Sequence, residues 1–140
     1  QTVRLALEED IGLGDVTTQV SVPKDARGTG RIWAKEGGVV AGLQVASCVF
    51  EQVGPELTIE TLVDEGASVR AGDTLMHVQG RLRAILTAER TALNFLQRLS
   101  GIATRTAGLV EVVSGTGVRV IDTRKTTPGL RMLEKYAVAL

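Results

Sequence analysis

The spacing of apolar positions changes several times along the chain, and each change predicts an element. Residues 3–10, VRLALEED, read as a short helix with Val3, Leu5 and Leu7 as candidate core contacts, stopped by Gly12 and Gly14. Asp15-Val16-Thr17-Thr18 follows, rich in side chains that cap helices and bond turns. After a loop around Pro23 to Gly28, Thr29 to Ala34 alternates like a strand, with Ile32 and Ala34 facing opposite to Arg31 and Trp33. Gly37-Gly38 predicts a turn, and Val39-Val40-Ala41 a return to extended structure. Apolar residues at 43, 46, 49, 50 and 53 then take helical spacing, ended by Gly54-Pro55. Leu57, Ile59, Thr61 and Val63 share one face of a strand, and Leu75, Met76 and Val78 suggest another. Residues 25–80 therefore predict a small antiparallel sheet with one helix.

The character changes at Gly80. Arg81 to Leu99 lacks Gly and Pro and carries Leu82, Ile85, Leu86, Leu93, Leu96 and Leu99 at helical spacing, the clearest helix signal in the chain. Ser100-Gly101 predicts an interruption, and Ala103 to Val113 a second helix, closed by Ser114-Gly115-Thr116-Gly117. Val118-Arg119-Val120-Ile121 reads as a compact buried strand. Thr127-Pro128 predicts a helix start, because threonine can cap and proline suits the first helical position. Leu130, Leu133, Ala137 and Leu140 give that helix an apolar stripe. Helix, strand, polar loop, helix is the unit of an α/β layer fold, and one strand makes no parallel sheet. A larger second domain continuing past Leu140 is therefore expected.

Composition narrows the classes. Of 140 residues, 44% are hydrophobic, enough for a packed core and against wholesale disorder. A lone Cys48 excludes a disulfide scaffold and a four-thiolate zinc site; it reads as a small core residue, fitting a reducing cytosol. No apolar run reaches membrane-span length, and nothing at the start resembles a signal peptide. Zero net charge argues against general nucleic-acid binding. The mean hides an asymmetry: residues 1–80 hold six Lys/Arg against twelve Asp/Glu, and residues 81–140 hold ten against four. That split suggests two structural units with anion recognition in the second, although scatter over solvated surfaces explains the counts equally well.

The best-placed candidate chemistry is Asp122-Thr123-Arg124-Lys125-Thr126-Thr127-Pro128, between the predicted strand and helix, where α/β folds carry their sites. Arg124 offers a planar fork for a carboxylate or phosphate, Lys125 a compact charge, and the threonines hydroxyl donors. A capped, solvated loop is the plainer alternative. Arg83, Arg90, Asn94 and Gln97 fall near one polar stripe of the long helix, a pattern that a solvated face also explains. His77, the only histidine, has no ligand cluster and reads as a strand residue with a local partner. There is no P-loop, no credible serine triad, and no dinucleotide loop in the right order.

Four stretches together resemble the quinolinate phosphoribosyltransferases: residues 6–18 (ALEEDIGLGDVTT), 88–97 (AERTALNFLQ), 99–104 (LSGIAT) and 122–131 (DTRKTTPGLR), continuing into 134–137 (EKYA). The resemblance implies an α+β N-terminal sandwich domain followed by the start of a truncated α/β (TIM-like) barrel. The sandwich with its linking helix would span residues 1–99, and the first part of the barrel 100–140. It implies a cytoplasmic enzyme of NAD biosynthesis that converts quinolinate and phosphoribosyl pyrophosphate to nicotinate mononucleotide, pyrophosphate and CO2, with Mg2+. Carried over by motif, Thr123, Arg124 and Lys125 line the substrate site, with Arg124 gripping a quinolinate carboxylate. Arg90 reaches the partner's site in a homodimer or higher oligomer. Later barrel residues that complete the family's site lie beyond Leu140, so the 140 residues alone are expected to be inactive.

Three other readings stay open. One is a paralogous pyrophosphorylase-like enzyme acting on another heteroaromatic acid. A second is a biotinyl/lipoyl-type carrier: residues 63–80 (VDEGASVRAGDTLMHVQG) resemble half of that sheet, but residues 36–80 contain no lysine to carry a cofactor. A third is a non-catalytic dimerisation domain.

Overall fold

A computed structural model describes residues 1–12 and 14–140; Leu13, inside the 6–18 motif, lies outside the described residues. Ten elements follow in order: α1 (Thr2–Ile11), α2 (Val16–Ser21), β1 (Arg27–Trp33), β2 (Gly38–Val39), α3 (Leu43–Val53), β3 (Thr58–Thr61), β4 (Ser68–Val69), β5 (Thr74–Arg81), α4 (Leu82–Val112) and α5 (Arg131–Ala139). β5 is the centre of an antiparallel sheet, flanked by β1 and β3. Its inward side chains, Met76 and Val78, are almost wholly buried under α3 and α4, and α1 closes the layer with Val3 and Leu7. The α+β class and the antiparallel sheet with its Leu43–Val53 helix match the sequence reading. No helix among the described residues is long and apolar enough to cross a membrane.

Glycine sets how closely α4 approaches β1. A Cβ at Gly28 would lie 2.7 Å from Leu82, and one at Gly30 would lie 3.3 Å from Ile85. Alternate glycines thus let the start of α4 lie on the strand. Further along, α4 takes the place of a strand. The Ser100 hydroxyl accepts from the buried Ala41 N–H at 3.0 Å and donates to the Ala41 carbonyl at 3.2 Å. Thr104, one turn later, does the same for Val39 at 2.8 and 3.4 Å. Two helix hydroxyls four residues apart therefore match Val39 at the end of β2 and Ala41 just past it, while the other edge of β2 pairs with β4. Glu65 caps α3 from outside the helix, accepting from the Gly42 and Gln44 N–H groups at 2.8 and 3.0 Å.

Four expectations fail. The long helix is not interrupted at Ser100-Gly101 but runs 31 residues, about 46 Å at the usual rise. A helical glycine costs about 1 kcal/mol relative to alanine, and the Ser100 and Thr104 bonds hold α4 through it. Val118–Ile121 is neither a strand nor buried: Val118 is 61% and Ile121 79% exposed, since no described strand lies beside the segment to pair its backbone. The last helix starts at Arg131 rather than Pro128. Gly129, at φ +80°, takes the left-handed conformation and stops helix propagation from the proline. Thr61, expected on the inward face of its strand, is exposed, whereas Leu57 is buried.

Candidate functional site

The polar loop 122–127 leaves Thr123, Arg124 and Lys125 exposed while its ends are tied down. Its internal bonds are local: the Lys125 N–H donates to the Thr123 hydroxyl, and the Thr126 N–H to the Arg124 carbonyl, both at 3.0 Å. α5 holds it from one side. Lys135 Nζ lies 2.5 Å from Asp122 Oδ2, Arg131 Nε donates to Thr126 Oγ1 at 3.1 Å, and the Thr127 N–H donates to Glu134 Oε2 at 3.1 Å. Arg98 of α4 reaches the same carboxylate, with Nε and Nη2 at 2.9 and 2.5 Å from Glu134 Oε1, and also donates to the Thr127 hydroxyl. Burial pushes the Glu134 carboxyl up, but the bonds from Arg98 and Thr127 outweigh it, so its pKa lies below the usual value. Among the described residues, Arg124 and Lys125 enter no ion pair. A pinned loop presenting two uncommitted cations can receive a polyanion without reorganising.

Arg90 sits elsewhere on α4. It binds Asp10 of α1 through Nε at 3.1 Å and Nη2 at 3.2 Å, leaving the Nη1 edge and most of the side chain open. Asp10 raises the Arg90 pKa through that bond. Arg90 lies eight residues before Arg98, about 12 Å along the helix, and no hydrogen bond joins it to loop 122–127 among the described residues. The other polar-stripe residues divide. Arg83 closes the end of α2, donating to the Val22 and Gln19 carbonyls at 2.8 and 2.9 Å, while Asn94 and Gln97 are exposed. Asp15 caps the start of α2 by accepting from the Thr18 N–H at 3.1 Å, and this bonding lowers its pKa. The sequence reading did not predict α2, the Asp10 partner of Arg90, or the Glu134–Arg98 pair. Each joins residues more than 30 positions apart or rests on a six-residue helix without apolar period.

His77 meets Glu60 on the neighbouring strand at 4.0 Å, the local partner expected of it. No group of three or more His, Cys, Asp or Glu side chains that could hold a metal occurs among the described residues. A concavity of about 1000 Å³ is an open and mostly apolar groove between β1–β2 and α4, bordered by Trp33, Val39, Leu86, Leu93 and Thr104. It contains neither Arg90 nor the 122–127 loop, so volume and candidate chemistry lie apart.

Known proteins resemble the chain over nearly all of it. Residues 15–100 match the family model of the quinolinate phosphoribosyl transferase N-terminal domain, and residues 102–140 that of the C-terminal domain. A nicotinate-nucleotide pyrophosphorylase (carboxylating) of Mycobacterium leprae is 46% identical over 98% of this chain and 49% of its own length. A quinolinate phosphoribosyltransferase (decarboxylating) of Nicotiana tabacum is 41% identical over 99% of this chain and 39% of its own. The crystal structure of NadC from Streptococcus pyogenes superposes with a TM-score of 0.95 at 42% identity, covering 99% of this chain and 49% of that one. The chain thus spans half or less of the length of these relatives.

Proposed function

The chain belongs to the quinolinate phosphoribosyltransferase family, and we propose that it forms part of a cytoplasmic enzyme of NAD biosynthesis. That enzyme joins quinolinate to the sugar of phosphoribosyl pyrophosphate, releasing pyrophosphate and CO2 and leaving nicotinate mononucleotide. Residues 1–99 serve as the sandwich domain with its linking helix, and residues 100–140 as the start of the barrel. The exposed apolar side chains of Val118 and Ile121 support a first barrel strand that later strands would pair and cover.

The observation that carries the site is the pinned loop with its two uncommitted cations. Quinolinate is a dianion. The guanidinium of Arg124 grips one carboxylate through two parallel N–H donors, and Lys125 adds a point charge for the acid or the phosphates. Thr123 supplies a hydroxyl. As the pyridine nitrogen bonds to the sugar carbon, pyrophosphate takes the departing electron pair, and fixed cations stabilise that charge without reorganising. Arg90, held on one edge by Asp10, offers its free edge to the site of a partner subunit in a homodimer. The apolar groove along α4 supports such a partner surface. Mg2+ does not fit a cage on this chain, whose described residues offer no carboxylate or imidazole cluster. It would arrive on substrate phosphate oxygens, and no step is assigned to it.

The test is calorimetric titration of quinolinate into the complete enzyme carrying Arg124→Lys. Charge is kept and the fork is lost, so affinity should fall by about 1.5–3 kcal/mol. Unchanged affinity removes Arg124 from the acid site.

A further inference from the structure

The loop that carries Arg124 and Lys125 has no ladder of its own. It pairs with no strand, its backbone bonds are local, and the apolar side chain leading into it, Ile121, is largely exposed. What fixes it comes from α5, and α5 is well founded: Ala137 is fully buried against Ala41, Leu99 and Ala103. Glu134, one turn before Ala137 on α5, is one of three buried polar or charged residues among those described. Its two oxygens divide the work. Oε2 accepts the Thr127 backbone N–H, and Oε1 takes the Arg98 guanidinium, which also reaches the Thr127 hydroxyl. Thr127 is thus held through both backbone and side chain, three residues from Arg124. A buried ion pair is weak evidence for stability, since packed apolar side chains of similar volume often serve as well. A carboxylate here does what an apolar residue cannot, which is to accept a backbone N–H of the loop.

We infer that Glu134, braced by Arg98, is a positioning residue that sets where Arg124 and Lys125 meet the substrate acid. The inference rests on the loop being the quinolinate site proposed above. It requires the effect of Glu134 on binding to pass through Arg124, because a bound carboxylate senses the loop through the guanidinium fork. Small displacements of such a group lose much of its orienting value.

The experiment is a double-mutant cycle on quinolinate affinity in the complete enzyme, using Glu134→Ala, Arg124→Ala and the pair, with melting temperatures measured alongside. Arg124→Ala, which loses charge as well as fork, should weaken binding by roughly a hundredfold or more, and Glu134→Ala by roughly tenfold, the loss typical of one charged hydrogen bond. The double variant should bind no more weakly than Arg124→Ala alone. Glu134→Gln keeps an acceptor for the Thr127 N–H and should recover part of the affinity. It also replaces Glu134→Ala in the cycle if the alanine protein does not fold. A lower melting temperature with unchanged affinity overturns the positioning role, and so do losses that multiply in the double variant. An Arg124→Ala enzyme that binds quinolinate normally overturns the site reading first, and this inference with it.

Discussion

Replacing Ser100 with alanine should destabilise the protein more than replacing Thr104 with valine, although each loses two hydrogen bonds to the segment from Val39 to Ala41. The Ser100 bonds lie at Ala41, which is fully buried. The N–H freed there meets no water, and an unsatisfied buried group costs about 1–3 kcal/mol. Alanine returns about 0.5 kcal/mol of helix propensity, leaving a net loss of about 0.5–2.5 kcal/mol. The Thr104 bonds to Val39 are solvent-exposed, so water replaces the hydroxyl and the loss should be about 0.5–1 kcal/mol. The assay is urea unfolding followed by far-UV circular dichroism. With a slope near 1–3 kcal/mol/M, Ser100→Ala should move the midpoint by roughly 1 M and Thr104→Val by a few tenths. Equal midpoint shifts, or a larger one for Thr104→Val, would refute the claim that burial of the freed backbone group decides the cost.

Two glycine substitutions should have opposite signs in the same assay. Gly38→Ala puts a Cβ 2.6 Å from Thr104 Oγ1 and should destabilise, whereas the Gly101 position is open and Gly101→Ala should stabilise α4 by about 0.5–1 kcal/mol. The Glu134 carboxyl titrates lower folded than unfolded, so its stabilisation is present above the unfolded value near 4.5 and is lost as pH falls through the folded value. Melting temperature measured from pH 6 to pH 3 should therefore fall less steeply for Glu134→Gln than for the parent; parallel curves would show that the pair is not linked to folding. If Arg90 serves a partner's site, inactive Arg90→Ala and Arg124→Ala enzymes refolded together should regain activity at about a quarter of their sites, since about half the dimers are mixed and each has one intact site. No gain, with mixed dimers confirmed by tag capture, would keep Arg90 out of the partner's site.

Local pattern carried the first half of the fold. The Leu43–Val53 helix was legible to the residue, because its apolar period and the Gly54 stop agree. The second half misled where tertiary bonds override local signals. Ser100-Gly101 reads as a break, yet Ser100 ties α4 to the Ala41 backbone just past β2. Val118–Ile121 has the composition of a strand, but a strand exists only where another pairs with it. Thr127 has the chemistry of a cap, yet its hydroxyl is taken by Arg98 and its N–H by Glu134. At the candidate site, residue types named Arg124 and Lys125; the side chains that hold their loop are five or more positions from their contacts and left no periodic trace.

The charge asymmetry also resolves into two parts. Of the ten cations after residue 80, Arg81, Arg83 and Arg90 turn back onto the acidic first half, meeting Glu56, the end of α2, and Asp10. These exposed contacts are worth little as stability, but they orient α4 on the sheet. Arg98, Arg131 and Lys135 tie the candidate loop to its platform. Arg105, Arg119, Arg124 and Lys125 enter no ion pair among the described residues, and all four come after residue 100. The anion-recognition signal is therefore smaller than the net count suggests and is concentrated at the end of the chain. Arg90 belongs to both groups: one edge of its guanidinium is committed to Asp10, and the other stays open. A residue positioned by its own chain while keeping donors unused is the kind that can serve a site it does not itself sit in.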